Sequence, residues 1–251
     1  MTTVVASANI LYKLPARDAG AALGLVLDEQ PDLVGLQEWY VSRLGLLRRT
    51  GDVLLAPSAG LLRVPSSVPR YHWVATIGAG NVAGARADRY DLLEGRSVTL
   101  SSVGPSDRPE RFLHTEPPRL AAVGIFADHH TGTTVALVSY HLVSGATYHD
   151  GYREDRPVLA ERHRREIARL EELVAELEAA GHRVHTAGDG NIEGLQLAGL
   201  VSAWEGREDG PGTIGTGTRK IDHLHAAEPA SNVRLLTTPS DHRALLATCE
   251  D

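Results

Sequence analysis

The chain has 251 residues, a formal net charge of −7 and one cysteine, Cys249. That length suits one layered α/β or β-sandwich domain spanning 1–251. The lone cysteine excludes an intrachain disulfide, and the acidic balance argues against tight non-specific DNA binding by charge alone. No basic-then-apolar leader opens the chain and no run approaches a membrane span, so the expectation is a cytoplasmic protein, monomeric by default.

Val4–Asn9 reads as a strand, and Asp18–Gln30 as a helix with Ala22, Leu23, Val26 and Leu27 on one face, stopped by Pro31. Asp32–Gln37 reads as a buried strand ending at Glu38. Val53–Ala56, His72–Ile77 and Ser97–Ser101 are expected strands. Their connections carry Arg63, Arg70, Arg86, Arg89, Arg96, Arg108 and Arg111, which either grip a phosphate backbone or solvate the surface. Arg119–Asp128 and Thr133–His141 read as a hairpin around Thr131-Gly132. Val158–Ala180 reads as a helix with Ile167, Leu170, Val174 and Leu177 inward and Gly181 as its stop. Its many charges are expected on a solvated face. A helix-like stretch is expected from Glu193, and strands at Val184–Asp189, Arg219–His225, Val233–Thr237 and Arg243–Thr248. Many strands with two or three outer helices suggest two packed sheets flanked by helices.

Several polar residues sit at strand ends: Asn9, Glu38 in Leu36-Gln37-Glu38, and His141 in Ser139-Tyr140-His141-Leu142. Gly188-Asp189-Gly190-Asn191 places a carboxylate and an amide two residues apart, and Ser240-Asp241-His242 precedes the last strand. Asp222 lies among apolar neighbours, where a buried acid needs a partner. Taken singly, each piece reads as well as a turn, a cap or a strand end.

Their order resembles the endonuclease/exonuclease/phosphatase family, which includes DNase I-like nucleases, sphingomyelinases and inositol-phosphate 5-phosphatases. The resemblance runs from Asn9 to His242. It implies a four-layered α/β sandwich, two packed mixed β-sheets flanked by helices, with the site at one end of the sheets. It implies a metal-dependent phosphoric ester hydrolase, with Mg²⁺ or Mn²⁺ held by Glu38, Asn9 and Asp241. It further implies catalytic roles for His141, Asp189, Asn191, Asp222 and His242, and phosphate contacts from Asn9, Arg119 and Asn191. Asp222 would be the carboxylate partner of His242, and Asp189 would align the attacking water. The sequence departs from the family pattern at Gly190, where an aromatic is usual, at Tyr140 and Ala8, and at Leu11. The last stands where an exonuclease III-like branch carries an acid, which argues against an apurinic-site nuclease. A further polar site residue is expected within 78–101.

The chemistry suits these assignments. Hydrolysis of a phosphodiester needs a water held in line and charge neutralised on non-bridging oxygens. A hard cation asks for oxygen ligands, often one or two carboxylates plus water. The expected function is a phosphodiesterase or nuclease acting on a phosphate ester, DNA or RNA among them. The alternatives are a phosphomonoesterase or phospholipase C-type enzyme acting on inositol phosphate or sphingomyelin and, more distantly, a catalytically silent binding module. A zinc site finds no HExxH, and a Ser-His-Asp hydrolase finds no Gly-x-Ser-x-Gly elbow.

Overall fold

The computed structural model describes residues 2–56, 62–148, 151–207 and 209–250. In chain order the principal elements are β1 (Thr2–Asn9), α1 (Ala16–Asp28), β2 (Leu33–Gln37), α2 (Leu44–Arg48), β3 (Gly51–Ala56), β4 (Leu62–Val64), β5 (Tyr71–Thr76), β6 (Val82–Arg86) and β7 (Tyr90–Ser101). They continue as β8 (Arg119–Asp128), β9 (Thr134–His141), α3 (Pro157–Ala179), β10 (Arg183–Asp189), β11 (Val201–Ser202), β12 (Asp222–Ala226), β13 (Asn232–Leu236) and β14 (Ala244–Glu250).

The strands make an eight-stranded sheet, β13-β14-β1-β2-β6-β5-β3-β4, and a six-stranded sheet, β11-β12-β10-β9-β8-β7. Both are mixed. β1 and β2 pair in parallel, as do β9 and β10, while β14 and β6 flank the first pair antiparallel and β12 and β8 flank the second. Strand alternation sends alternate side chains to opposite faces. Val5, Leu33, Val74 and Leu245 of the first sheet meet Phe126, Leu137, Ala187 and Leu224 of the second in the central core. The opposite face of the first sheet, with Ala6, Val34 and Leu36, packs under Ala22, Leu23 and Val26 of α1 and Leu47 of α2. The opposite face of the second, with Val123, Val138 and Val184, packs under Leu170, Val174 and Leu177 of α3. The architecture is therefore the helix–sheet–sheet–helix sandwich expected from the sequence.

Several expectations change. No helix forms from Glu193, because that segment is a series of turns. β7 is far longer than Ser97–Ser101, and β6 and α2 had no sequence expectation. β6 reads Val-Ala-Gly-Ala-Arg, small residues without the bulk that marks a strand, and a Cβ on Gly84 would lie 2.2 Å from the Trp73 ring. The solvated-face expectation for α3 fails at two positions. Arg162 and Glu166 are buried and paired at 2.9 Å, and they bond Ser101, the Pro117 carbonyl and the Val143 N–H. They pin the helix start to the loops around the site instead of facing water. No helix among the described residues is long and apolar enough to cross a membrane.

Candidate active site

Parallel pairing of β1 with β2, and of β9 with β10, brings four strand C-termini to one end of the sandwich. Asn9, Glu38, His141 and Asp189 sit there, in registers Asn9↔Gln37 and His141↔Asp189. The antiparallel neighbours start at that same end, so Asn81 precedes β6, Arg119 opens β8, Asp222 opens β12 and His242 precedes β14. Residues scattered through the chain thus become neighbours.

At this end the interior between the sheets turns polar. Gln37 is fully buried and donates to the Ser139 hydroxyl at 3.2 Å and to the Ala187 carbonyl at 3.3 Å, while Ser139 donates to the Leu36 carbonyl at 3.1 Å. These bonds cross between sheets and hold the floor of the site at fixed spacing. Asn81, also buried, donates from Nδ2 to the Leu120 carbonyl at 2.7 Å. It lies within 78–101, where a further polar residue is expected, and bonds the strand that Arg119 opens. The pairing of β8 with β7 shifts register between Arg119 and Leu120, which sets Arg119 off from the regular ladder. Its charge acts on both Tyr40 and His141.

Asp189 is the hub. Its Oδ2 accepts from Asn9 Nδ2 at 2.9 Å and lies 3.5 Å from His141 Nε2 and 4.0 Å from His242 Nε2. Its Oδ1 accepts the Asn191 N–H at 2.8 Å. Asn191 adopts a left-handed backbone, φ 52°, which asparagine tolerates better than most residues. It donates from Nδ2 to the Leu142 carbonyl at 3.1 Å, and its own carbonyl accepts the Thr147 hydroxyl. Asp222, fully buried, accepts from His242 Nδ1 at 2.7 Å. Ser240 ties the 240–242 turn to β1 by donating to the Asn9 carbonyl at 2.8 Å and accepting the Leu11 N–H at 3.0 Å. Asp241, within this turn, is exposed, and its charge reaches Glu38 and His242.

The two histidines are driven apart electrostatically. Burial lowers the pKa of His141 to about 4, outweighing the nearby Asp189, so its imidazole is neutral at physiological pH. Burial also works against charge on His242, but the Asp222 carboxylate, through its charge and its hydrogen bond, wins and raises the pKa to about 10. One neutral and one charged donor therefore flank Asp189. Asp189, Asp222 and His242 form a group with ligand atoms within 4.8 Å of one another. With its Nδ1 engaged by Asp222 and its ring protonated, His242 is a poor metal ligand.

Glu38 is half-buried, with φ 58°, a conformation that costs an L-residue energy and persists where the surroundings impose it. The turn it makes sends Trp39 into the core, with its N–H on the Gly80 carbonyl at 2.7 Å, and frees the Glu38 side chain toward the site. Burial raises the Glu38 pKa, partly offset by the Tyr12 N–H that donates to Oε2 at 2.7 Å. Arg43, buried, donates to the carbonyls of Ile10 and Leu11 at 2.7 Å, of Leu14 at 3.0 Å and of Glu38 at 3.4 Å. It clamps the 10–14 segment against Glu38. Nothing in its sequence neighbourhood singled it out.

Three buried imidazoles lie behind the loop after β10. His163, His223 and His225 donate from Nε2 to the carbonyls of Gly190 at 2.7 Å, Ile192 at 2.8 Å and Leu195 at 3.0 Å. Burial lowers all three pKa values, to about 4 for His223 and about 3 for His225, which keeps the rings neutral. Two family departures find their reason here. A Cβ on Gly190 would lie 2.9 Å from the His223 ring, and one on Gly188 would lie 2.6 Å from the Tyr140 ring and 2.5 Å from the Tyr140 carbonyl oxygen. Tyr140 and His223 fill the space that larger residues would need at 188 and 190. Gly188→Ala is expected to destabilise the fold by about 1–3 kcal/mol through overpacking. A denaturant midpoint unchanged from the parent would contradict this packing account.

Several arginines of the central connections are otherwise engaged. Arg63 pairs with Asp52 at 2.6 Å, Arg86 with Asp32 at 3.2 Å, and Arg89 with Asp128 at 2.8 Å. Asp32 and Asp128 lie at the strand ends opposite the site. Arg108 and Arg111 both flank the buried Glu116 at 3.3 Å.

No protein-family model and no curated protein matches the chain. Solved structures do. A Danio rerio TDP2 humanised by 14 mutations shares 17% identity at TM-score 0.67, covering 100% of this chain and 99% of that one. A mannosyl-6-phosphatase of Bacteroides thetaiotaomicron shares 16% at TM-score 0.68, over 99% and 100%. The human Nocturnin catalytic domain shares 18% at TM-score 0.64, over 98% and 93%. The chain has the fold of these structures, the endonuclease/exonuclease/phosphatase fold that the order of its motifs resembles.

Proposed function

We propose that this chain, with an endonuclease/exonuclease/phosphatase fold, is a divalent-metal-dependent phosphoester hydrolase that favours phosphodiesters. The observation that carries the reading is the convergence of Asn9, His141 and His242 on one carboxylate, at 2.9, 3.5 and 4.0 Å from Asp189 Oδ2.

The donors gathered here suit a hard cation. Asn9 commits its Nδ2 to Asp189, while its buried Oδ1 has no hydrogen-bond partner among the described residues. An orphaned buried acceptor wants a cation or a water. Beside it, Glu38 is a desolvated carboxylate on the same side of the site as Asp241. This oxygen-only set fits Mg²⁺ or Mn²⁺. Glu38 and Asn9 would hold the ion, with Asp241 as an outer contact. A bound divalent ion would supply positive charge for a phosphoryl oxygen.

The chain's own groups do the rest. Asp189, fixed by Asn9 and by the Asn191 N–H, accepts the proton of a water aimed at phosphorus. Bond formation from that water oxygen displaces the ester oxygen with its electron pair. The His242 imidazolium meets the charge developing on a non-bridging oxygen, and neutral His141, with Arg119 beside it, supports the same phosphate. Asn191 orients it through its amide, and Asp222 keeps His242 charged.

The similar structures span more than one ester class by name: one is a mannosyl-6-phosphatase, and a Danio rerio TDP2 is complexed with a single-stranded DNA product. The test is therefore a panel of plasmid DNA, RNA, sphingomyelin, an inositol phosphate, a hexose phosphate and an aryl phosphodiester, each with Mg²⁺ or Mn²⁺ and with chelator. Hydrolysis that chelator abolishes is expected. Equal rates with and without chelator overturn the metal requirement, and an inert panel overturns the hydrolase reading. Faster turnover of monoesters than of diesters would favour the phosphatase alternative.

A further inference from the structure

Trp39, Tyr71, Trp73, Tyr90 and Tyr140 are fully buried, yet Tyr12 and Tyr40 are 53% and 37% exposed side by side. Their rings stand edge to face, centroids 6.2 Å apart at 80°. Both are bound to the Glu38 neighbourhood by backbone. The Tyr12 N–H donates to Glu38 Oε2 at 2.7 Å, and Tyr40 follows two residues after Glu38. Neither is loosely held. The Arg43 guanidinium fixes the carbonyls of Leu11 and Leu14 on either side of Tyr12. The Tyr40 ring lies so close over Gly80, itself at φ 70°, that a Cβ there would be 3.2 Å from Tyr40 Cζ. Lys13 places its Nζ 5.5 Å from the Tyr12 ring centroid, and the charges of Glu38 and Arg119 act on the Tyr40 phenol.

We infer that Tyr12 and Tyr40 form a stacking corner beside Glu38 that takes a ring carried by the phosphate ester, a nucleobase by its planar face or a pyranose by a face of C–H bonds. This rests on the hydrolase reading, which puts the phosphate next to Glu38. Two exposed rings held in place at the mouth of a site lose little conformational freedom on binding, and exposed aromatic surface stacks on a ring without demanding a set hydrogen-bond pattern. Stacking asks only for a flat face near the phosphate. The charged rim of Lys13, Glu38 and Arg119 disfavours an acyl chain, which would need contiguous apolar surface instead.

The experiment compares kcat/KM for a dinucleotide, a hexopyranosyl phosphodiester and an acyclic glycerol phosphodiester. In the parent protein at least one ring-bearing ester is expected to lead the acyclic one by about tenfold or more, the scale of one stacked base. Tyr12→Ala with Tyr40→Ala should erase that ratio, while Tyr12→Phe with Tyr40→Phe, which keeps both faces, should retain it. The two ring-bearing arms tell a base from a sugar. A second arm uses calorimetry on metal-free protein with deoxyadenosine monophosphate, mannose 6-phosphate and glycerol phosphate, and the same pattern is expected in Kd. Hydrolysis with no ring preference in either arm overturns the stacking corner and leaves the hydrolase reading standing. An inert panel with ring-selective binding lost in the double Ala variant does the reverse. Loss of preference in the Phe pair equal to that in the Ala pair also overturns it.

Discussion

His242→Ala is expected to lower kcat/KM on a phosphodiester by about 10²–10⁴-fold, the scale of a positioned acid–base or charge-stabilising group. The reason is specific to its surroundings. A buried imidazole whose desolvation outweighs its nearest carboxylate has lost its proton well below neutrality, as His141 has with a pKa of about 4. His242 keeps its proton to about pH 10 because Asp222 sits 2.7 Å from its Nδ1. Asp222→Asn removes the strongest counter-charge and leaves only Asp189 and Asp241 against burial, so the His242 pKa falls. Its cost is expected to be smaller, about 10–100-fold, because the ring remains in place. That cost should grow as pH rises from about 6, since the parent stays charged where the variant does not. The same pairing bears on stability. The folded pKa lies above the unfolded value of about 6.5, so the stabilisation is complete below that pH. It is lost as pH rises through about 10. Paired pH–rate and pH–stability profiles of parent and Asp222→Asn check both statements. Superimposable profiles, or a His242→Ala enzyme within a few-fold of the parent, would sink the assignment.

The sequence made some of this legible and hid the rest for identifiable reasons. α1, α3 and the strands β1, β2, β8, β9 and β10 announce themselves because bulky apolar residues recur at 3.6 or run along the strand, whereas most of β7 does not. β6 does not, since Gly84 is dictated by the Trp73 ring of the adjacent strand, a cross-strand contact that the local apolar pattern does not reveal. Arg162 and Glu166 read as surface charge because ion pairs at i,i+4 usually are, and only the loops that close over the helix start bury them. Asn9, Glu38, Asp189, Asp222 and His242 were legible by their order, as polar residues ending or opening apolar strands. Arg43, Asn81 and His163 were not. Each acts on backbone carbonyls, of residues 10–14, Leu120 and Gly190, and a backbone carbonyl leaves no mark in sequence. The residues proposed to face the ligand are written in side-chain chemistry, while those that hold them in place answer to geometry alone.

That distinction sets the expectation for Glu38→Ala. If Glu38 holds the ion, its loss should cost more than the roughly 10–100-fold typical of an outer-shell partner, and part of the rate should return at high Mg²⁺ or Mn²⁺. Stability gives an independent reading. Without metal, Glu38 is an acid whose charged form burial disfavours, in a left-handed backbone that alanine would share. Removing the carboxylate should therefore cost the metal-free protein little, the lost Tyr12 N–H bond being offset by relief of desolvation. With metal the two proteins should part. An ion that binds only the folded state stabilises it by mass action, so Mn²⁺ should raise the melting temperature of the parent and barely move that of the variant. Thermal melts of both proteins with Mn²⁺ and with chelator, beside their rates, decide the matter. Equal Mn²⁺ shifts in parent and variant, or a Glu38→Ala enzyme fully active at low metal, would move the ion elsewhere. The Asp189–Asp222–His242 group, whose histidine would then have to give up its proton, would be the place to look.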